Sequence, residues 1–444
     1  MSLTMRGILC FFLFMFAQDL ITINMNSTLG SYLSYMDEFF IIGSIGIIMV
    51  KSNFRIKKST LILSLVTIGV LFFGLLSSTI HQVPISTTVA GGLLTIKGFL
   101  LFFIFKNLTM NENNIRQLIR FFKVLGGLAA VFALVDLLFH EQFRNFLHTN
   151  NLLDARSNLV SVQSFFIHPG TYGWFMVFVG LYYLSHYLVH KPKKSLIYTI
   201  VFFILAFLSL RFKVLLAIAV ILTLVAMKKR IYTAALACVG IIIYLFFGDM
   251  INNLTMLTID RYISVDYMDS ARKALYHTGF TIGLHDFPLG EGFGRFGSWI
   301  ARVDYSPVYY EYGLQSVYGL SPDDPKWATD TYWPSIIGEV GILGTILFIS
   351  FFIYVMRGIY VKLHDAGVSK NGKVFLLFSL FIIIQSLVES LGEQIFNGSP
   401  QYIFIFAVMG MAASQVEKGD HLLNSQASVQ LYAKRKYSYD SSTV

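Results

Sequence analysis

The sequence is a succession of apolar runs, each about as long as a bilayer crossing, joined by short polar connections. A hydrocarbon core about 30 Å thick takes about 20 helical residues to cross. Backbone exposed to lipid must also satisfy its own hydrogen bonds, which restricts such runs to helices. Twelve runs fit: 7–23, 33–50, 59–78, 88–105, 122–139, 172–190, 195–210, 212–227, 231–248, 332–356, 374–391 and 402–416. The pair flanking Arg211 is short enough to form a tight helical hairpin. The first run resembles a signal peptide, with Arg6 ahead of apolar Gly7 to Phe16. It lacks a small-residue cleavage site, because Ala17-Gln18-Asp19-Leu20 continues into Ile21-Thr22-Ile23, so it is expected to remain as an uncleaved span. Composition excludes a soluble domain: 55% of the 444 residues are hydrophobic and 13% charged, against about 25% charged in soluble proteins. Cys10 and Cys238 lie inside apolar runs, which argues against a disulfide framework or a cysteine metal site.

Basic residues orient the spans. Lys51, Arg55, Lys57 and Lys58 mark one connection; Lys106, Arg116, Arg120 and Lys123 the next but one. The alternation continues through Lys191, Lys193 and Lys194, then Lys228, Lys229 and Arg230, then Arg357, Lys362, Lys370 and Lys373, and on to Lys418, Lys434, Arg435 and Lys436 in the tail. The connections 24–32, 79–87 and 392–401 have none. By the positive-inside rule both termini are cytoplasmic, and the net charge of +9 reports topology rather than a nucleic-acid partner. The expected fold is an all-α polytopic membrane domain over residues 1–416 with about twelve transmembrane helices. A polar tail, 417–444, has the composition of a disordered segment. One large extracytoplasmic loop, about 249–331, separates spans nine and ten.

Two other connections have patterns of their own. From Asn111 to Lys123, Ile115, Leu118, Ile119 and Phe122 share one helical face and Arg116, Arg120 and Lys123 another, as in a helix lying on the cytoplasmic leaflet. The segment 140–171 closes with Ser164-Phe165-Phe166-Ile167-His168-Pro169-Gly170, an aromatic return into the membrane.

The large loop carries the candidate chemistry. It holds six basic residues (Arg261, Arg272, Lys273, Arg295, Arg302, Lys326) against eleven acidic ones, on a face where cytoplasmic retention does not explain the basic set. Arg211, at the same face with Lys213 beside it, is equally out of place. Snorkelling to headgroups accounts for Arg211, and a solvated helix face for Arg272. Alternatively the two guanidinium groups grip a phosphorylated ligand, whose oxygens a planar fork binds in pairs. Residues 292–297 match G-x-G-x-x-G, but no βαβ unit surrounds them, so the glycines are expected to serve turns and close approaches. Asp304 to Trp333 is dense in aromatics, which suit either a membrane-interface belt or the C–H faces of sugars. Tyr309, Tyr310 and Trp327, with Arg295 upstream, are the candidate sugar contacts. Gly338, Gly341 and Gly344 permit close helix contact. Asp330 stands at the entry to that helix, where it could cap it. On a straight helix Glu339 lies about 13 Å further in and half a revolution round, a poor catalytic pairing with Asp330. Lys97, Asp136 and Glu389 are polar intruders in spans, expected to form internal pairs or line a cavity.

These residues resemble a known family. Leu208-Ser209-Leu210 leads into Arg211-Phe212-Lys213, and Ser270-Ala271-Arg272 precedes Pro288-Leu289-Gly290-Glu291-Gly292-Phe293-Gly294. Asp330 and Ile337-Gly338-Glu339-Val340-Gly341-Ile342-Leu343-Gly344 close the loop. With twelve spans and His168-Pro169, the chain resembles the O-antigen polymerase and ligase superfamily, which includes Wzy-type polysaccharide polymerases. The resemblance implies a glycosyltransferase of the bacterial cytoplasmic membrane. It would join oligosaccharide repeat units carried on undecaprenyl diphosphate at the outer face, building an O-antigen, capsule or exopolysaccharide without metal or cofactor. Chain-length regulators and flippases are the partner proteins implied. Arg211 and Arg272 match the arginines assigned to the lipid diphosphate. Ligases of the family carry a histidine near the end of the large loop, where this chain has Asp330; that departure favours a polymerase, with Asp330 and then Glu339 as catalytic carboxylates. A ligase-like glycan transferase and a flippase of lipid-linked oligosaccharides are the alternatives.

Overall fold

The computed structural model describes residues 3–25, 30, 33, 36–51, 58–108, 110–149, 155–156, 159–227 and 266–416. The expected span 231–248, the start of the large loop with Arg261, and the tail 417–444 lie outside the described residues. The described chain is almost entirely helical. Its main helices are α1 (Leu3–Ile23), α2 (Met36–Lys51), α3 (Lys58–Ile80), α4 (Ile85–Asn107), α5 (Glu112–Leu138) and α6 (Pro169–His190). They continue with α7 (Lys193–Phe207), α8 (Phe212–Ala226), α9 (Ala271–His285), α10 (Trp333–Leu363), α11 (Lys370–Glu389) and α12 (Gln401–Val416). A two-residue ladder, Ala155–Arg156 against Leu159–Val160, is the strand pairing among the described residues.

Among the described residues six helices are long and apolar enough to cross a membrane: Met5–Ile23, Thr60–Ile80, α4, α5, α10 and α11. Their outward faces fit that use. On α3, Leu61, Leu65, Ile68, Phe72 and Leu76 form an exposed apolar stripe, while Leu63, Thr67 and Val70 are buried on the opposite side. So large an exposed stripe is a liability in water and a requirement in lipid. The centre of the bundle is α12, which is buried nearly all along its length, as expected of a helix apolar on every side. Around its Phe404 gather the rings of Phe12, Phe122, Trp174, Phe175 and Phe178.

Two expectations are corrected. The amphipathic run 111–123 is not a separate surface helix. It is the first part of α5, capped by the Asn111 side chain, which accepts from the Asn114 amide at 2.8 Å. No breaker follows Lys123, so the helix runs on, and Ile115, Leu118, Ile119 and Phe122 face the core. The second correction concerns α10. Were it straight, Tyr332 and Phe348 would stand about 24 Å apart along its axis, yet their ring centroids are 5.5 Å apart. The helix folds back at Gly341, whose φ of 73° and ψ of −178° suit glycine. It therefore has two arms, residues 333–340 and 342–363. A Cβ at Gly341 would also lie 2.2 Å from the Leu289 carbonyl carbon, so two requirements fix this residue. Glu339 consequently does not lie further down a straight helix than Asp330.

α7 and α8 form the expected hairpin about Arg211, each of only 15 residues, or about 22 Å, against 20 residues in α11. Residues 266–331 have a core of their own, built from Leu275, Ile282, Phe296, Tyr309, Leu314 and Leu320.

Candidate functional site

The site forms around the turn that leaves α11. Five consecutive residues of this turn engage four different parts of the chain. Ser390 accepts the Trp333 indole N–H at 2.9 Å, and the Leu391 carbonyl accepts the Tyr276 hydroxyl at 2.9 Å. Gly392 faces Arg272: a Cβ there would lie 3.8 Å from the guanidinium carbon. Glu393 accepts from the Lys213 ammonium. Gln394 donates to the carbonyls of Gly297 (2.6 Å) and Thr331 (2.9 Å). The turn thus collects α9, the start of α10, the α7–α8 hairpin and the large loop at one place.

Arg211 is the residue ahead of α8 and Lys213 lies in its first turn. His168 caps α6, its Nδ1 accepting from the Gly170 amide at 3.1 Å. A Cβ at Gly170 would meet His168 Nδ1 at 2.8 Å and Lys213 Nζ at 3.1 Å, so ring and ammonium close over a residue with no side chain. Burial alone would raise the Glu393 carboxyl. Lys213, His168 and Arg211 outweigh it and hold that carboxyl below its ordinary value. Gln401 adds a hydrogen bond to Glu393 at 3.3 Å. Arg272, in the first turn of α9, pairs with Asp330 at 2.7 Å, their side chains 30% and 43% exposed. Arg272 and Lys213, which lies two residues beyond Arg211, therefore meet adjacent residues, Gly392 and Glu393, and each region also holds a carboxylate of the chain.

The other expected site residues divide. Glu339 is buried, and its carboxylate faces the amides of Gly294, Arg295 and Phe296 and the Ser298 hydroxyl. Next to it the Gly338 carbonyl accepts from the Glu291 amide at 2.7 Å. Glu339 therefore holds the glycine-marked loop against the short arm of α10. The glycines of that loop do serve close approach: a Cβ at Gly290 would lie 2.5 Å from the Gly338 oxygen. Tyr309, expected as a sugar contact, is fully buried; its hydroxyl accepts from the Gly297 amide at 3.0 Å and its ring packs on Phe296. No sugar face reaches it here, because the loop uses it as core. Tyr310 is exposed, and Trp327 is partly so, with Tyr318 edge-on and Lys326 over its ring. Arg295 is half-buried beside Glu291.

Two features escaped sequence reasoning. Glu393 sits in an unremarkable short connection, and only the fold brings Lys213 to it. Glu291 pairs with His81 at 3.2 Å; burial raises its carboxyl, with Asp286 and Glu311 adding to the effect and His81 and Arg295 opposing it. Glu389 is bonded by Gln385 at 2.8 Å, and its second oxygen has no partner among the described residues. Its partner is the amide of Gln385, one turn earlier on the same helix. Lys97 does form an internal pair, with Asp37 at 3.1 Å and Glu38 at 2.8 Å. No cluster of three metal-ligating side chains occurs among the described residues. No protein-family model matches the chain, and no curated protein matches it.

Proposed function

We propose that this protein is a membrane glycosyltransferase that polymerises oligosaccharide repeat units carried on undecaprenyl diphosphate. It would work at the outer face of the bacterial cytoplasmic membrane, with twelve spans and both termini inside. One observation carries the reading: Arg272 faces Gly392 while Lys213, two residues beyond Arg211, bonds the next residue of the same turn, Glu393. Helix length supports it. α7 and α8, about 22 Å each, are shorter than a core about 30 Å thick, so in a twelve-span arrangement Arg211 and Lys213 would lie below the outer boundary. Cations at that depth are expensive unless an anion meets them. A lipid-linked diphosphate entering from the outer leaflet supplies one at that level.

In this reading the acceptor sugar's hydroxyl attacks the anomeric carbon of the donor. The new C–O bond forms as the anomeric carbon–oxygen bond to phosphate breaks, and its electron pair leaves on the diphosphate. Arg211 and Arg272 stabilise the charge developing there, most effectively where water is scarce. Asp330, beside Arg272, takes the hydroxyl proton, a contribution of typically about 10²–10⁴ in rate. Glu339 positions the loop. Tyr310 is the exposed aromatic face left for sugar.

Purified protein given the lipid-linked repeat unit alone tests this. A ladder of lengthened lipid-linked glycans is the expected result. Product only after a different acceptor is added means a ligase, and transport without a new bond means a flippase; either ends the polymerase reading.

A further inference from the structure

We propose that Lys213, Arg211 and His168 form a phosphoryl-binding position that the chain's own Glu393 carboxylate fills in the absence of ligand, and that Arg272, filled by Asp330, is a second such position beside it. The ligand class is a diphosphate. Its identity as a lipid carrier rests on the function proposed above; the exchange of anions does not.

The geometry is the ground for this. Glu393 accepts from Lys213, whose ammonium meets the His168 ring over Gly170. The residue before it, Gly392, faces Arg272, which holds Asp330 at 2.7 Å. Consecutive Cα atoms lie about 3.8 Å apart, so the two cationic positions meet one short stretch of backbone. The N-termini of α6 and α8 open at the same place and add positive field. Carboxylate and phosphoryl oxygens play the same acceptor role, and a phosphoryl group offers more of them to ammonium and guanidinium donors. Both acids are reachable: the Glu393 side chain is 21% exposed and that of Asp330 43%. Exchange has a chemical consequence. While Arg272 holds Asp330, that carboxylate is engaged; a diphosphate that takes Arg272 frees it to accept a proton. The proton acceptor becomes available only once a donor is bound.

Binding of inorganic pyrophosphate, undecaprenyl diphosphate and phosphatidylglycerol to detergent-solubilised wild type, Glu393→Gln and Asp330→Asn, with melting temperature as fold control, tests the exchange. Removing an internal competitor should tighten pyrophosphate binding by about fivefold to tenfold in each variant. Lys213→Met added to Glu393→Gln should abolish the gain. Affinity that is unchanged or weaker in folded Glu393→Gln overturns the proposal, since a bridge that merely braces the fold gives no gain. Should Glu393→Gln not fold, the half-exposed Asp330→Asn decides by the same sign. A gain larger for undecaprenyl diphosphate than for pyrophosphate supports a lipid-carrier site, whereas an equal gain for phosphatidylglycerol overturns the diphosphate assignment. A gain without polymer synthesis by wild type leaves the exchange standing and ends the polymerase reading; polymer without a gain does the reverse.

Discussion

Two arginine–aspartate pairs in this protein have the same chemistry and opposite settings. Arg144 and Asp136 are sealed, their side chains 1% and 2% exposed. Asp136 also accepts from the amides of Gln163 (2.7 Å) and Ser164 (2.9 Å), and Arg144 donates to the Phe166 carbonyl at 3.3 Å. Together these bonds tie the end of α5, Arg144 and the start of the aromatic return ahead of α6 into one knot, so the pair works as scaffold. Arg272 and Asp330 are 30% and 43% exposed and lie beside the α11 turn. A buried ion pair stabilises only while complete, because losing one partner strands a charge; an exposed one contributes little and can exchange its anion. The difference in surroundings, not the residue types, separates structure from candidate binding.

That contrast can be broken by experiment. Arg144→Ala should have the largest effect, about 3–5 kcal/mol of stability, read as a collapsed melting temperature and loss of monodisperse protein in detergent. The same substitution at Arg272 should cost no more than about 1 kcal/mol; equal losses at both would erase the distinction. Under the function proposed above, Arg272→Ala should instead lower polymer synthesis by about 10²–10³, and an undiminished ladder would remove Arg272 from the proposed diphosphate site. Arg272→Lys, which keeps the charge but not the planar fork, should retain folding and lose about tenfold in synthesis. The smallest effect concerns a buried carboxylate of the large loop, Glu291. Burial raises its folded-state value, so the protonated form is favoured in the fold and stability declines as pH climbs above the ordinary value of 4.5. Glu291→Gln should flatten that decline in melting temperature, and an unchanged pH profile would show that His81 already compensates it.

Much of the scaffold was legible in the sequence, because a 20-residue apolar run has few ways to exist. The hairpin about Arg211, the loop glycines and the internal pairing of Lys97 all followed from local pattern. The limits were equally physical. Asp330 and Glu339 look like neighbours on one helix until Gly341 folds it back, and a glycine that permits a reversal cannot be told from one that permits contact. Tyr309 resembles a sugar platform by composition, yet the loop spends it on a core of its own. Glu393 carried no local signal, since nothing in Gly392-Glu393-Gln394 indicates that Lys213, 180 residues earlier, will reach it.

By itself, then, the sequence determined that this chain is a bundle of apolar helices with its charges concentrated in connections, since hydrophobic periodicity and the burial of backbone hydrogen bonds leave little else. Only the tertiary structure decided which charges meet. Ion pairing depends on distances of a few ångströms between residues far apart in the chain, and those distances are set by helix lengths, by one reversal at Gly341 and by the turn after α11.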